Sequence, residues 1–151
     1  MRSLKKITAL LAVCILAGTA PLPVKGTGPV ELDLSDGGVV ITAEGYIQGG
    51  GGLQAHTGDY LLTGDTPEYT VEVHGFTPSQ RIILNGLEID VSAKSGKAAF
   101  RVSETCVSDV RVLLSGENTL KGGENAAGLE MPAKTGADQS GRLILTSAAG
   151  D

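Results

Sequence analysis

Residues 81–116 read RIILNGLEIDVSAKSGKAAFRVSETCVSDVRVLLSG, and the run that opens this stretch returns at its close. Arg81-Ile82-Ile83-Leu84-Asn85-Gly86 comes back thirty residues later as Arg111-Val112-Leu113-Leu114-Ser115-Gly116. A third copy is read at Arg142-Leu143-Ile144-Leu145-Thr146, thirty-one residues further on. A second register has nearly the same period. The pairs Val71/Val73, Phe100/Val102 and Leu129/Met131 are spaced by 29 residues, each with one charged residue between its apolar members. Apolar–charged–apolar alternation places two side chains on one face of a strand and one on the other. Two registers with one period imply a repeat architecture.

Working outward, the same texture fills the chain beyond Gly58. Runs of four or five β-rich residues lie at 60–63, 69–73, 81–84, 88–91, 99–102, 110–114, 118–121, 128–131 and 142–146. Each is bounded by Gly, Asn, Asp, Ser or Pro, which is a strand-and-turn alternation. Upstream, Val39–Thr42 and 46–48 read as two further strands, and Gly49 to Gly52 interrupt regular structure. No stretch after residue 20 holds a helical period of ten residues.

Three short strands in about thirty residues make one triangular coil, with equivalent strands stacked in parallel ladders. The sequence therefore predicts an all-β chain folded as a short parallel β-helix, with a β-sandwich as the competing arrangement. The predicted inward columns are Val71–Phe100–Leu129, Val73–Val102–Met131 and Ile83–Leu113–Ile144. Gly86 and Gly116 are expected at equivalent corners that need positive φ. Glu72, Arg101 and Glu130 are expected in an outward column of alternating sign, with Glu88, Asp90 and Asn118 also facing out.

The N-terminus has a different character. Arg2, Lys5 and Lys6 precede an apolar run from Ile7 to Ala17, and small residues then lead to Pro21. This is the pattern of a secretory signal, and the run is shorter than the ~20 apolar residues that span a bilayer. Residues 1–20 are read as a signal cleaved near Ala20, 21–57 as a Gly/Pro-rich lead-in with the first strands, and 58–151 as the repeats. The product is expected to be secreted or held at the cell surface of a bacterium, with no transmembrane segment. Cleavage removes Cys14 and leaves Cys106 alone, so no intrachain disulfide forms. It also leaves nine cations against seventeen anions, an acidic balance that argues against a nucleic-acid partner.

Motif chemistry is sparse. The glycine run lacks the Lys-Ser/Thr that follows a phosphate-binding loop. His56 and His74 are eighteen residues apart with Cys106 as the only thiol, a spacing that makes no zinc site, and there is no Gly-x-Ser-x-Gly elbow. Residues 131–136 imitate a sortase signal but hold one residue too many between Pro132 and Thr135. Asp59 and Asp65 flank the Tyr60–Thr63 strand, with Glu68 following, and are the candidate oxygen ligands for calcium. No catalytic residue is singled out, and the five aromatic residues, none of them Trp, leave little for a stacking platform.

The segment from Val112 to Leu129, with Gly116-Glu117-Asn118-Thr119-Leu120 followed by Ala127-Gly128-Leu129, resembles the β-strand-repeat, carbohydrate-binding-domain surface proteins of anaerobic and gut-type bacteria. The preceding 83–91 and 99–102 stand in the expected order, and the likeness covers roughly residues 58–148. It implies a parallel β-helix displayed at the cell surface and binding a polysaccharide or surface glycan without catalysis, in some members with bound calcium. Because such repeats usually continue, a C-terminal continuation or a capping partner is expected beyond Asp151. The competing expectations are a structural spacer, or fragment of a larger surface protein, with no ligand, and a partial polysaccharide-processing enzyme.

Overall fold

The computed structural model describes residues 28–133 and 141–148. Residues 1–20, read from the sequence as a signal, the expected cleavage point near Ala20 and residues 134–136 of the sortase-like motif lie outside the described residues. The described chain is a parallel β-solenoid built from three sheets. The strands are β1 (Val30–Asp33), β2 (Val39–Ile41), β3 (Gly45–Gln48), β4 (Gln54–Ala55), β5 (Tyr60–Thr63), β6 (Asp65–Thr66) and β7 (Val71–Val73). They continue as β8 (Ile82–Asn85), β9 (Glu88–Asp90), β10 (Phe100–Val102), β11 (Val110–Ser115), β12 (Thr119–Lys121), β13 (Leu129–Glu130) and β14 (Leu143–Ser147). No α-helix occurs among the described residues; the one helical element is a short 3₁₀ turn at Leu34–Asp36.

The first sheet stacks β1-β5-β8-β11-β14, the second β13-β10-β7-β2-β3-β4, and the third β12-β9-β6. The second, third and fourth coils visit the first, third and second sheet in that order. In the first coil the 3₁₀ turn takes the place of a third-sheet strand, packed beside β6. Four coils are complete, and β14 begins a fifth. The first coil starts at Val30, since β1 pairs in register with β5 (Val30 with Tyr60) and β2 with β7 (Val39 with Val71). The segment read as a lead-in thus supplies a full coil. Its alternation Glu31-Leu32-Asp33-Leu34-Ser35 buries the two leucines and exposes the rest.

The 29-residue columns are present. Phe100 lies between Val71 and Leu129, and Val102 above Val73; Val39 and Ile41 extend both columns downward. Met131 follows β13 and packs against the core. The other register needs correction. Ile83 does pair with Leu113, but both are half-buried and face out, while Ile82, Leu84 and Val112 fill the interior. The run Ile82-Ile83-Leu84 is apolar throughout, so its phase is not written in it. The third Arg-led strand steps by 33 residues: Arg142 lies above Asp109, and Arg111 is paired with Ile144. The column Ile83–Leu113–Ile144 therefore ends at its second member.

Gly86 and Gly116 occupy equivalent corners at φ 60° and 64°. Asn118, expected to be a solvated outward residue, stitches this corner. Its Oδ1 accepts from the Leu87 amide at 2.9 Å, and its Nδ2 donates to the carbonyls of Ser115 and Gly116. Glu72, Arg101 and Glu130 do form an outward row, although the side-chain hydrogen bond of Glu72 is made with His74.

One departure from coil geometry shapes the surface. β3 and β4 form a hairpin added antiparallel to β2, turning at Gly49 and Gly50 with φ 59° and 74°. It covers the edge that the second sheet would otherwise leave open beside β2, where unpaired amides and carbonyls invite intermolecular pairing. Gln48 Nε2 donates to the Asp33 carbonyl at 2.6 Å and ties the hairpin to the first coil. Beneath it, Tyr46 packs edge-on to Tyr60 and His56, with ring centroids 6.3 and 6.5 Å away.

Candidate functional site

Asp59 and Asp65 are held apart by β5, Asp59 just before that first-sheet strand and Asp65 in β6 of the third sheet. Asp59 is engaged: its Oδ1 accepts from the Arg81 amide at 2.8 Å and its Oδ2 from the Arg81 guanidinium, with Nε at 2.9 Å. Among the described residues no group of three or more His, Cys, Asp or Glu is placed to hold a metal ion. His56 is buried, and its Nε2 donates to the Asp59 carbonyl at 2.9 Å, so it braces a turn. Cys106 is buried.

Of the five aromatic side chains, Tyr60, Phe76 and Phe100 are buried in the core and Tyr46 is partly buried against it. Only Tyr69 is exposed, at 39%. It stands just before β7, and the register of β2 with β7 brings that position beside Gly37 and Gly38 of the preceding coil. The hairpin then brings Gly49 and Gly50 to the same place: the Gly49 amide donates to the Gly38 carbonyl at 3.0 Å. The result is a groove of about 340 Å³ with Tyr69 and Thr70 on one side, the glycine backbones on the other, and the Asp36 and Glu72 carboxylates in its walls. The close approach depends on Gly37, where a Cβ would stand 2.5 Å from the Gly49 Cα.

At the opposite ends of the same strands lies a second groove of about 360 Å³. Ile47, Leu53, Ala43, Glu44 and His74 line it. Leu53 is 47% exposed. The two grooves share the outer face of the second sheet, where Val40 pairs with Ile47 on one side and Glu72 on the other. Along β7 the grooves are joined by the Glu72 Oε2–His74 Nε2 contact of 2.8 Å.

Chemically, the first groove offers one aromatic face, two acceptor-only carboxylates and polar backbone around a shallow, open cleft. Apolar contact beside a few placed polar groups is the usual make-up of a small-molecule site. The sequence does not by itself join Tyr69 to Asp36 or to the glycine run; the signal lay in the 32-residue offset between Val39 and Val71, which fixes what stands beside Tyr69. Compared with family models, with curated proteins and with solved structures, the chain matches none.

Proposed function

We propose that the chain is a non-catalytic glycan-binding module of the bacterial cell surface, exported by its N-terminal segment, with the Tyr69 groove as its binding site. The observation that carries this reading is that the one exposed aromatic residue, Tyr69, lines a groove together with the acidic residues Asp36 and Glu72. A sugar ring has an apolar C–H face that stacks on an aromatic ring and a rim of hydroxyls that donate to carboxylates. Hydrogen bonds to ionised acceptors are about twice as strong as neutral ones, so two such carboxylates orient a ligand that one aromatic ring holds. The solenoid supplies a rigid floor, because the strands beneath the groove are pinned on both sides by their ladders. The likeness of residues 112–129 to surface-protein repeats supports the same reading, although those residues build corners and core rather than the groove.

Depletion from solution by insoluble polysaccharides tests the proposal. The exported chain is expected to be retained without releasing reducing ends, and Tyr69→Ala to weaken retention by about tenfold, which corresponds to ~1.4 kcal/mol. Retention of wild type and Tyr69→Ala alike would move the site elsewhere. A folded chain retained by nothing would leave the spacer as the better account, and chain cleavage would make it an enzyme.

A further inference from the structure

Resting on that reading, we infer that the ligand is a linear glycan free of carboxylate and sulfate groups, lying along the strand direction so that it occupies both grooves of the second sheet. Two observations carry this. The first is charge. The linings of the two grooves contain three carboxylates, Asp36, Glu72 and Glu44, and neither lysine nor arginine. The one imidazole, His74, is bound to Glu72. Arg101 is Glu72's neighbour on β10 but lines neither groove. An acidic polymer seated here would set its own carboxylates within a Debye length, about 8 Å in physiological salt, of three like charges, with Arg101 as a single cation beside Glu72 and none in either lining. A chain of hydroxyls meets only acceptors it can satisfy.

The second observation is alignment. The first groove opens at the start of β2 and β7, beside Gly38 and Thr70, and the second at their ends, beside Thr42 and His74. Four residues of strand separate the two positions, a span of about 13 Å at ~3.3 Å per residue, which exceeds one sugar ring. The surface between them is the Val40–Ile47–Glu72 row, with Glu72 and His74 following β7 in the same direction. Tyr69 and Leu53, both exposed, mark the two ends. A polymer crossing the strands instead would leave one of these apolar contacts unused.

Affinity electrophoresis of the exported chain tests both parts. The gels contain neutral polymers (β-glucan, xylan, galactomannan) or polygalacturonate, and a series of neutral oligosaccharides competes for binding. Retardation is expected in at least one neutral gel and none in polygalacturonate at physiological salt or below, where the repulsion is least screened. Affinity is expected to rise by about tenfold from disaccharide to hexasaccharide, and Leu53→Ala to remove most of that rise. The double variant Asp36→Asn/Glu72→Gln is expected to lose neutral-polymer binding without a change in its unfolding midpoint. Retardation in polygalacturonate equal to that in a neutral gel overturns the charge inference while leaving glycan binding intact. An affinity that is flat beyond the disaccharide overturns the two-groove span. Retardation in no gel overturns this inference together with the reading it rests on.

Discussion

Arg81 stands directly above Asp59 on consecutive coils, 22 residues on in sequence, and binds its carboxylate through both the backbone amide and the guanidinium. Arg142 repeats the arrangement on Asp109 across 33 residues, with the amide at 3.0 Å from Oδ1 and Nη2 at 2.8 Å from Oδ2. An aspartate before a first-sheet strand thus captures the entry to the same sheet one coil later. Asp59→Ala leaves the Arg81 amide without this partner and is expected to cost about 1–2 kcal/mol. Asp59→Asn, which keeps an acceptor oxygen, is expected to cost less. Urea denaturation of the two variants checks the order.

Because both Asp59 oxygens are committed to Arg81, calcium has no free carboxylate there. Addition of calcium, or of EDTA, is expected to leave Tm unchanged. A calcium-dependent rise in Tm that Asp65→Asn abolishes would restore Asp65 as a calcium ligand.

Phe100 is fully buried between Val71 and Leu129, and Arg101 beside it is exposed. Phe100→Ala removes a ring from a column that the ladders hold at fixed spacing, and is expected to cost ~3–5 kcal/mol. Arg101→Ala is expected to stay within about 0.5 kcal/mol of wild type. Equal costs at the two positions, measured by denaturation midpoint, would mean that the alternation is not what packs the second sheet.

Acid is expected to weaken the fold in a defined window. The Asp90 carboxyl is held down at about 2, first by its hydrogen bond with Lys121 and then by Ser92; Arg142 lowers Asp109, and Ser35 lowers Asp33. A carboxylate with a lowered pKa in the fold contributes stability that is present above its unfolded value, ~3.9, and lost as the pH falls through the folded value. Tm is therefore expected to drop between about pH 4 and pH 2. Lys121→Met is expected to shrink that drop.

Burial pushes the Tyr60 phenol in the opposite sense, up to about 12. Its contribution is complete below the ordinary phenol value of ~10 and is lost as the pH rises through 12. One phenolate is expected to appear only near pH 12 in the folded protein, and at about 10 in urea; Tyr60→Phe abolishes the late step.

The sequence showed the coil more readily than the surface. Val71-Glu72-Val73, Phe100-Arg101-Val102 and Leu129-Glu130-Met131 alternate, so period and phase were both readable, and the structure stacks their leading residues as expected. Ile82-Ile83-Leu84 gave the period but not the phase, since any of the three satisfies an apolar interior. Leu143 was placed two residues out because the step into β14 is 33 residues rather than thirty-one. The first coil was legible in Leu32 and Leu34, which alternate with acids and a serine, but Pro and Gly around them drew the reading toward a lead-in. The hairpin was hidden, since four glycines carry no apolar pattern and its partner strand is only Gln54–Ala55. The groove was hidden too: Tyr69 and Asp36 meet only through a register that joins residues 32 apart.

The β3–β4 hairpin also gives the molecule a polarity. On the second sheet it leaves growth by further coils to the side of β13, while both grooves lie on the first two coils and on the hairpin itself. Insertion of a whole thirty-residue repeat after β10 would therefore lengthen the rod and leave the spacing of Tyr69, Glu72 and Leu53 untouched. Rod length and groove geometry are separable quantities in this architecture, so a lineage or an engineer can change one by duplication while holding the other constant.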